Sequence, residues 1–237
     1  MANVKITKNG PYLVSGGLPL AKEIITTGKE GIPTKWSRGE KFPQQEEYAL
    51  CRCGHSKNKP YCTGTHAEVD FNGTETALRK SHAEQAEKTE GDGIDLMDAV
   101  AFCASSRFCD LGDGTWKYTE DSKDPKAKKE AIRQACCCPS GRLVMLDKKA
   151  GKAIEPEFKQ SISIVEDPGA NASGPIWLKG KIPLESSDGT VYEIRNRVTV
   201  CRCGLSENKP FCDGTHARIG FRSEQPAQKK TTPRPGA

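Results

Sequence analysis

A sixteen-residue block containing three cysteines and one histidine occurs twice in this chain. The first copy, CRCGHSKNKPYCTGTH, runs from Cys51 to His66, and the second, CRCGLSENKPFCDGTH, runs from Cys201 to His216. Both copies space these residues as C-x-C-x8-C-x3-H, and the two copies align over all sixteen positions without an insertion or deletion. Since three thiolates and an imidazole make one complete four-ligand metal site, the sequence predicts two such sites.

These ligand residues matter for folding because the rest of the chain offers little apolar material. Hydrophobic residues make up 35% of the 237 residues and aromatic residues 6%, beside 23 glycines and 15 prolines. Small domains with thin cores usually need a metal or disulfides to stabilise them. The first ten residues, MANVKITKNG, lack the apolar stretch of a secretory signal, so we expect the eleven cysteines to be metal ligands rather than disulfide partners.

The charge pattern indicates neither a nucleic-acid partner nor a membrane. The formal net charge of +5 comes from 36 basic and 31 acidic residues, which are interspersed along the chain. Nucleic-acid binding would require a clustered basic face with aromatic residues among the charges. The sequence also lacks the run of about eighteen apolar residues that a membrane-spanning helix needs. We therefore expect a cytoplasmic protein.

The repeat extends beyond the two blocks. GPYLVSGGLPL (residues 10–20) is similar to GPIWLKGKIPL (residues 174–184), and a short apolar stretch directly precedes both Cys51 and Cys201. The first copy holds additional residues, which we assign to a loop over the Gly- and Pro-rich stretch 27–45. A repeat of this length indicates one structural unit used twice. We expect the two units to pack as an intramolecular pseudo-dimer in a monomeric chain.

The predicted fold class is α+β, with two small, metal-stapled, β-rich modules around an α+β segment. Residues 79–93 are polar and predict a linker or an exposed helix. Asp124 and Pro125 suit the N-cap and first position of a helix that continues to Ala135, and Leu143 to Leu146 predicts a strand. The predicted boundaries are 1–78 for the first module, 79–93 for the linker, 94–165 for the middle segment, 166–222 for the second module and 223–237 for a disordered tail.

The spacing within each block favours a two-iron cluster over a single zinc ion. Thiolates are soft ligands that suit either zinc or iron in a sulfide cluster. A [2Fe-2S] cluster needs two protein ligands on each iron, and each block supplies two pairs. Structural zinc sites also accept three cysteines and one histidine, but their paired ligands are more often separated by two to four residues than by one. The residues alone therefore leave zinc open as the alternative.

The shared residues C-R-C-G-x-S-x-N-K-P-[YF]-C-x-G-T-H resemble the signature of the CDGSH iron–sulfur family, the mitoNEET-like proteins. The resemblance implies a [2Fe-2S] cluster in each block, with one iron on the first two cysteines and the outer iron on the last cysteine and the histidine. The implied ligands are Cys51, Cys53, Cys62 and His66 in the first block, and Cys201, Cys203, Cys212 and His216 in the second.

The two copies differ at one position of that signature. The acidic residue is kept as Asp213, but the first copy has Thr63 in its place, so we expect the two sites to differ in reduction potential. In both sites, a histidine that replaces a thiolate removes negative charge and should raise the potential, as in Rieske centres. His82 matches neither copy and is expected to be a solvated surface residue.

Five further cysteines lie between the blocks, at Cys103, Cys109, Cys136, Cys137 and Cys138. The run CASSRFC, followed by a predicted helix and CCCPSG, resembles the divergent single-cluster ferredoxin domain, whose pattern is C-x5-C and then C-P-S-G. The resemblance implies Cys103, Cys109 and Cys138 as ligands of a third iron–sulfur cluster. Three thiolates would suit [3Fe-4S], with Cys136 or Cys137 as a candidate fourth ligand. The alternative is a degenerate domain with buried or free thiols.

These features predict an iron–sulfur carrier rather than an enzyme. The sequence shows no nucleotide-binding loop, no nucleophile–base set and no paired carboxylates, so no catalytic residues are assigned. We expect electron transfer, cluster transfer, or both, with a redox partner or an apo-protein that accepts the cluster. The alternatives are a redox or nitrosative sensor and an interaction module held together by zinc.

Overall fold

Thirteen strands and four α-helices form the regular structure of residues 2–224, the part of the chain that the computed structural model describes. The strands are β1 (Asn3–Ile6), β2 (Tyr12–Ser15), β3 (Leu20–Thr27), β4 (Pro33–Lys41), β5 (Glu47–Leu50), β6 (Glu87–Glu90), β7 (Ile94–Asp98), β8 (Leu143–Asp147), β9 (Lys152–Ile154), β10 (Ser161–Asp167), β11 (Ala172–Lys179), β12 (Leu184–Glu185) and β13 (Arg197–Val200). The helices are α1 (His82–Gln85), α2 (Gly114–Glu120), α3 (Pro125–Cys137) and α4 (Thr215–Arg218). Across residues 2–224, none of the helices has the length and apolarity that crossing a bilayer requires. Most of the predicted disordered tail lies outside the described residues.

The two halves of the chain exchange strands. The first sheet has the order β12-β1-β2-β5, and the second has the order β13-β11-β10-β3-β4. In the first sheet β12, from the second half, lies parallel to β1. In the second sheet β3, from the first half, lies parallel to β10. The predicted α+β fold with two paired β-rich modules is confirmed, and the pairing takes the form of this exchange.

One apolar core serves both sheets. It is built from alternate residues of strands that come from the two halves of the chain, since side chains on a strand alternate between faces. The fully buried residues at its centre are Val4, Ile6, Tyr12, Leu50, Ile162, Ile164, Ile176 and Val200. Because each half contributes only part of this core, neither module buries its apolar surface alone.

The internal repeat is preserved in the strand register. Tyr12 on β2 pairs with Leu50 on β5, and Ile176 on β11 pairs with Val200 on β13. Both pairings are antiparallel, and both place the last residue before a cysteine block at the same position of a sheet. The two blocks therefore leave their sheets in equivalent ways.

The stretch 27–45 was predicted to be a loop, and this prediction is wrong. β3 and β4 form an antiparallel hairpin in which Ile25 pairs with Trp36. Gly31, in the left-handed region, occupies the turn between the strands, so the turn-forming residues are confined to the end of the hairpin. Trp36 on β4 packs against Trp177 on β11 of the same sheet, with a ring-centroid distance of 5.1 Å.

The predicted linker 79–93 also contributes regular structure. Ser81 caps α1 by accepting a hydrogen bond from the backbone N–H of Glu84, as the polar composition allows. β6 then pairs with β7, and together with β8 and β9 they form a third sheet in the order β6-β7-β8-β9. The segment that was read as a linker or an exposed helix is thus a helix followed by the edge strand of this sheet.

The middle segment packs α2 and α3 on the third sheet around its own small core. Ile94, Leu96, Leu143 and Met145 are fully buried on the strands and contact α3 through Ala131. The predicted helix start is confirmed, because the Asp124 side chain accepts a hydrogen bond of 3.1 Å from the backbone N–H of Lys126. β10, which was assigned to this segment, belongs to the second sheet instead.

Arg197 fastens the middle segment to the second sheet. This fully buried side chain projects from β13, and its Nη1 donates to the carbonyl oxygens of Ala135 and Cys138, both at 2.7 Å. Its Nη2 donates to the carbonyl of Leu143 at 3.2 Å and to the Glu155 carboxylate at 2.7 Å. The strand that leads into the second block is therefore joined to the loop that carries Cys138.

A second arginine, Arg107, also fastens the middle segment to the second sheet. Arg107 lies between Cys103 and Cys109 and donates to both carboxylate oxygens of Asp167 at 2.7 Å. It also donates to the carbonyl of Gly31 at 2.8 Å. Nη2 makes both bonds to Asp167 and Nη1 the bond to Gly31, so the guanidinium fixes the Cys103–Cys109 loop against the end of β10.

Arg197→Ala is expected to lower the free energy of unfolding by about 3 kcal/mol, because it leaves buried carbonyl groups without their donor. Denaturant titration of the chain gives this value. The matched control is Glu47→Ala, at the equivalent repeat position before Cys51, where the side chain is exposed and the expected change is below about 0.5 kcal/mol. Equal losses in the two variants would contradict the role assigned to Arg197.

Candidate metal centres

The first block folds as a loop that brings its four predicted ligands together in two pairs. Directly after β5, the backbone N–H of Cys51 donates to the carbonyl of Pro60 at 2.8 Å and closes the loop. The sulfurs of Cys51 and Cys53 are 3.8 Å apart. Nδ1 of His66 lies 3.4 Å from the sulfur of Cys62. The inner cysteines thus form one pair, and the cysteine and histidine form the other.

The second block has the same arrangement. The backbone N–H of Cys201 donates to the carbonyl of Pro210 at 2.8 Å, and the sulfurs of Cys201 and Cys203 are 3.6 Å apart. Nδ1 of His216 lies 3.2 Å from the sulfur of Cys212. The structure therefore brings all eight predicted ligand residues into four pairs, two in each block.

The spacing within each pair suits two ligands on one metal. Two sulfurs that each lie about 2.3 Å from a tetrahedral metal are separated by ~3.8 Å, and a sulfur and a nitrogen by ~3.5 Å. Within residues 2–224, no three cysteine, histidine or acidic side chains are grouped closely enough to hold a single ion. The four ligand residues of each block are therefore arranged as two separate pairs.

Backbone N–H groups point at the cysteine sulfurs. The N–H of His55 donates to the sulfur of Cys53 at 3.4 Å. The hydrogen bond with Cys53 lowers the pKa of Cys51, and the backbone N–H groups of Gly54 and Ser56 lower it further against the opposing effect of burial. The first cysteine of the second block has the same partners at equivalent positions. Such donors favour the thiolate form, which is the form that binds a metal.

Arg52, between the two inner cysteines of the first block, is buried. It donates to the carbonyl of Thr7 at 3.1 Å and to the carbonyl of Gly73, and its guanidinium lies 5.6 Å from the ring centre of Tyr12. These contacts fasten the block to segments before and after it, whereas the cation that lowers the pKa of Cys51 is Lys59. Sequence reasoning missed Arg52, although its repetition at the same motif position was a visible signal.

Arg202 has the same place in the second block and more partners. It donates to the carbonyl of Gly174 at 2.6 Å, to the carbonyl of Val165 at 2.8 Å and to the carboxylate of Glu166 at 2.7 Å. Arg202 is 4% exposed, so these contacts replace its hydration. Each block is therefore joined through its arginine to segments that lie outside the block.

Tyr12 connects the first half of the chain to the second block. Its side chain is fully buried, and its hydroxyl donates to the carbonyl of Cys201 at 2.8 Å and to the carbonyl of Pro210 at 3.2 Å. These are the two residues whose backbone bond closes the second loop. Burial holds the pKa of Tyr12 well above its usual range, so the hydroxyl remains a donor.

Thr63 and Asp213, the residues at which the two copies differ, brace the same part of the loop. Asp213 accepts hydrogen bonds from the backbone N–H groups of Glu207 at 2.8 Å and Thr215 at 3.0 Å. Burial alone would raise the pKa of Asp213, but these bonds outweigh it and lower the pKa. The Thr63 hydroxyl accepts a 3.4 Å bond from the N–H of Lys57 and shares hydrogen bonds with the hydroxyls of Ser56 at 3.2 Å and Thr65 at 3.0 Å. The second block therefore carries a negative charge that the first lacks.

The outer pairs differ in solvent exposure. Cys62 and His66 are both partly exposed. Cys212 is 3% exposed and His216 is 5% exposed, and burial, with the nearby Arg202 adding to it, lowers the pKa of His216 to about 4. Chemically identical ligand sets thus have an open environment in the first block and a closed one in the second.

Three of the five middle cysteines line one cavity. Cys103, Cys109 and Cys138 surround a space of about 290 Å³ that Arg142 also lines. Arg142 forms a two-point ion pair with Asp98 at 2.6 and 2.8 Å, which holds its guanidinium near the thiols. Burial raises the pKa of Cys109 to about 12. A ligand set of three thiols with an adjacent cation suits a negatively charged iron–sulfur group.

The two candidate fourth ligands do not line this cavity. The sulfur of Cys136 lies 3.8 Å from the carbonyl of Ile154, on the third sheet. Cys137 accepts a hydrogen bond from Nε1 of Trp36 at its carbonyl, at 3.0 Å. The expectation that either residue completes the middle site is corrected to this extent: neither lines the cavity that Cys103, Cys109 and Cys138 share. The nearest carboxylate is Asp110, with Oδ1 3.6 Å from the sulfur of Cys109.

His82 was expected on the surface, and this prediction is wrong. It is 8% exposed, and its Nε2 lies 2.8 Å from the carbonyl of Arg142. Its ring stacks on Phe102 at a centroid distance of 6.3 Å. Burial lowers the pKa of His82, which favours the neutral ring. Its role in the structure is packing between the middle segment and α1.

The fold and these cysteine-rich centres define an iron–sulfur type of metal-binding protein. The family described as iron-binding zinc finger, CDGSH type, matches residues 9–67 and 173–217. The family described as divergent 4Fe-4S mono-cluster matches residues 89–148. The chain thus carries two regions that match the CDGSH family model and, between them, one that matches the divergent mono-cluster model. No curated protein and no solved structure matched the chain.

Tyr12→Phe is expected to destabilise the chain by about 1–2 kcal/mol, because the buried carbonyls of Cys201 and Pro210 lose their shared donor. Thermal and denaturant unfolding measure this loss. Tyr61→Phe is the control, since its hydroxyl has an exposed contact with Gln45 at 3.2 Å and is expected to contribute less than about 0.5 kcal/mol. If the two phenylalanine variants unfold alike, Tyr12 does not connect the halves as described.

Proposed function

We propose that each block of this chain holds one [2Fe-2S] cluster through three cysteines and one histidine. The observation that carries this proposal is the arrangement of the ligands in two pairs, with spacings of 3.6 to 3.8 Å between sulfurs and 3.2 to 3.4 Å between sulfur and nitrogen. Two pairs match the needs of two irons, whereas a single zinc ion requires all four ligands around one point. The positive charges of Lys59 and Lys209, which lower the pKa of Cys51 and Cys201, support an anionic group in each block.

We further propose that Cys103, Cys109 and Cys138 hold a third iron–sulfur group. Their shared cavity and the ion-paired Arg142 at its wall support this assignment. Three thiolates suit a [3Fe-4S] cluster, or a [4Fe-4S] cluster with one iron that takes a non-cysteine ligand. Arg142 would offset part of the negative charge of such a group.

The function that these sites support best is carrying electrons, iron–sulfur clusters, or both. When bound, the clusters supply one-electron redox chemistry. The residues of the chain supply the rest: buried arginines fasten each block to neighbouring segments, backbone N–H groups hold the sulfurs, and the partly exposed Cys62 and His66 offer an approach to a partner. We propose a redox protein or an apo-protein as that partner, and a carrier role rather than catalysis for this chain.

Chain purified without oxygen is expected to be coloured and to contain iron and acid-labile sulfide, which visible absorption and metal analysis measure together. Cys62→Ala and Cys212→Ala should each remove two irons and two sulfides per chain, because each variant breaks one outer pair. Colourless protein that contains zinc would refute the proposed function. Glu157→Ala, at an exposed position between β9 and β10, serves as the control for purification losses.

Cys138→Ala is expected to lower the iron content below that of the unsubstituted chain, whereas Cys136→Ala should leave the iron content unchanged. The two residues are two positions apart, but only Cys138 lines the cavity that Cys103 and Cys109 share. Iron and sulfide analysis of both variants compares them directly. Equal iron loss, or no loss in either variant, contradicts a third group at these three cysteines and leaves the two block sites unaffected.

A further inference from the structure

The same glycine of the two blocks has very different surroundings. Gly64 and Gly214 both adopt the left-handed backbone region, with φ of 83° and 80°. A Cβ built on Gly64 meets no atom within 4 Å. A Cβ built on Gly214 would lie 2.2 Å from Oγ of Ser105 and 3.4 Å from the carbonyl oxygen of Cys103. The middle segment therefore covers the second block at the point where the first block is open.

Two more contacts extend this cover. Nδ2 of Asn208 donates to the carbonyl of Ala101 at 2.7 Å, and the ring of Phe102 packs edge-on against Phe211 at 5.0 Å. Asn58, the counterpart of Asn208, is exposed. The cover, defined as residues 101–105, thus crosses the part of the second block that directly precedes Cys212.

Contacts on both sides of the cover hold it in its position. Arg107, two positions after the cover, donates through Nη2 to both carboxylate oxygens of Asp167. Ser105 lies in the left-handed region with φ of 52°, a conformation that a non-glycine residue keeps only when its neighbours enforce it. On its other side, Phe102 stacks with His82. Access to the second block would therefore require several contacts to break together.

We propose that residues 101–105 close the second block, so that of the two blocks only the first exchanges its cluster with an outside acceptor. This inference rests on the proposed function, because it requires a cluster in each block. The second block then serves as a fixed site between the first block and the middle segment. A Cβ built on Gly204 would lie 2.4 Å from the carbonyl oxygen of Cys53, so the two blocks are themselves in contact.

The acceptor that fits the open block is an apo-protein with four free thiols. Exchange starts at Cys62 and His66, because these ligands are the exposed ones. Acceptor thiolates replace the three sulfurs and the imidazole nitrogen on the two irons, and no electron is transferred. Of the four protons that the acceptor thiols lose, three return to the vacated cysteines and one goes to the solvent.

The test measures the transfer of [2Fe-2S] clusters from the cluster-loaded full chain to an apo-ferredoxin. The circular dichroism of the acceptor reports the time course of this transfer. We expect two phases, with one cluster per chain transferred rapidly and the second slowly or not at all. Cys62→Ala should abolish the rapid phase, whereas Cys212→Ala should leave it intact. This comparison assigns each phase to a block.

A matched pair of glycine variants tests the cover itself. Gly214→Ala adds a methyl group that collides with Ser105, so we expect the slow phase to merge with the rapid one. Gly64→Ala imposes the same left-handed strain on the backbone but meets no neighbour. Its effect on the rapid phase therefore measures strain alone. A milder pair, Asn208→Ala and Asn58→Ala, makes the same comparison without any strain, and it decides the question if Gly214→Ala does not fold.

The outcomes separate this inference from the function on which it rests. Chain that binds no iron and no sulfide refutes the proposed function. Chain with both clusters that transfers them at one rate refutes the inference and leaves the function standing. Two phases that respond equally to both members of the asparagine pair also refute the cover, because Asn58 contacts none of its residues.

Discussion

The structure depends on the exchange of strands between the two halves of the chain. The sequence is poor in apolar residues, and each half alone would leave one face of its strands exposed to water. The parallel pairing of β3 with β10, and of β1 with β12, brings both halves around one core. β5 and β13 end at equivalent positions of this shared framework, so the two blocks start from fixed points. Since hydrophobic burial is the main favourable term in folding, the geometry of the ligand loops follows from a core that neither half could form separately.

Buried charge is the second constraint, and the chain meets it with arginine and lysine. Thiolates beside one another repel, and burial adds to the cost of their charge. Arg52 and Arg202 lie between the inner cysteines, and both bind backbone carbonyls of segments that precede or follow the blocks. The guanidinium suits this position because it keeps its charge and makes several hydrogen bonds in one plane. These two residues therefore fasten the blocks to the fold, while the charges that lower the pKa of Cys51 and Cys201 come from Lys59 and Lys209.

Much of the site was predictable from sequence, because its determinants are local. The spacing of Cys51, Cys53, Cys62 and His66 predicts four ligands, and the loop brings them together in pairs. The Asp124 cap gave the start of α3 correctly for the same reason. The hairpin β3–β4 was missed because its glycines and prolines suggested a loop, whereas its pairing partner β10 is distant in sequence. Arg197 and Ser105 carried no local signal at all, since their partners belong to other segments of the chain.

An internal repeat makes two sites alike, and only the surroundings can make them different. In this chain the ligand sets, the glycines and the arginines are the same in both blocks. The middle segment breaks the equivalence, because its contacts with the motif blocks fall on the second: Arg197 joins Cys138 to the strand before Cys201, and Ser105 lies over Gly214. A segment inserted between two copies follows one copy and precedes the other. It can therefore contact and cover one copy more than the other, even when the motif is the same in both. The asymmetry between an open and a closed centre is therefore a property of the chain order, and the substitution of Thr63 for an acidic residue adds to it without being its source.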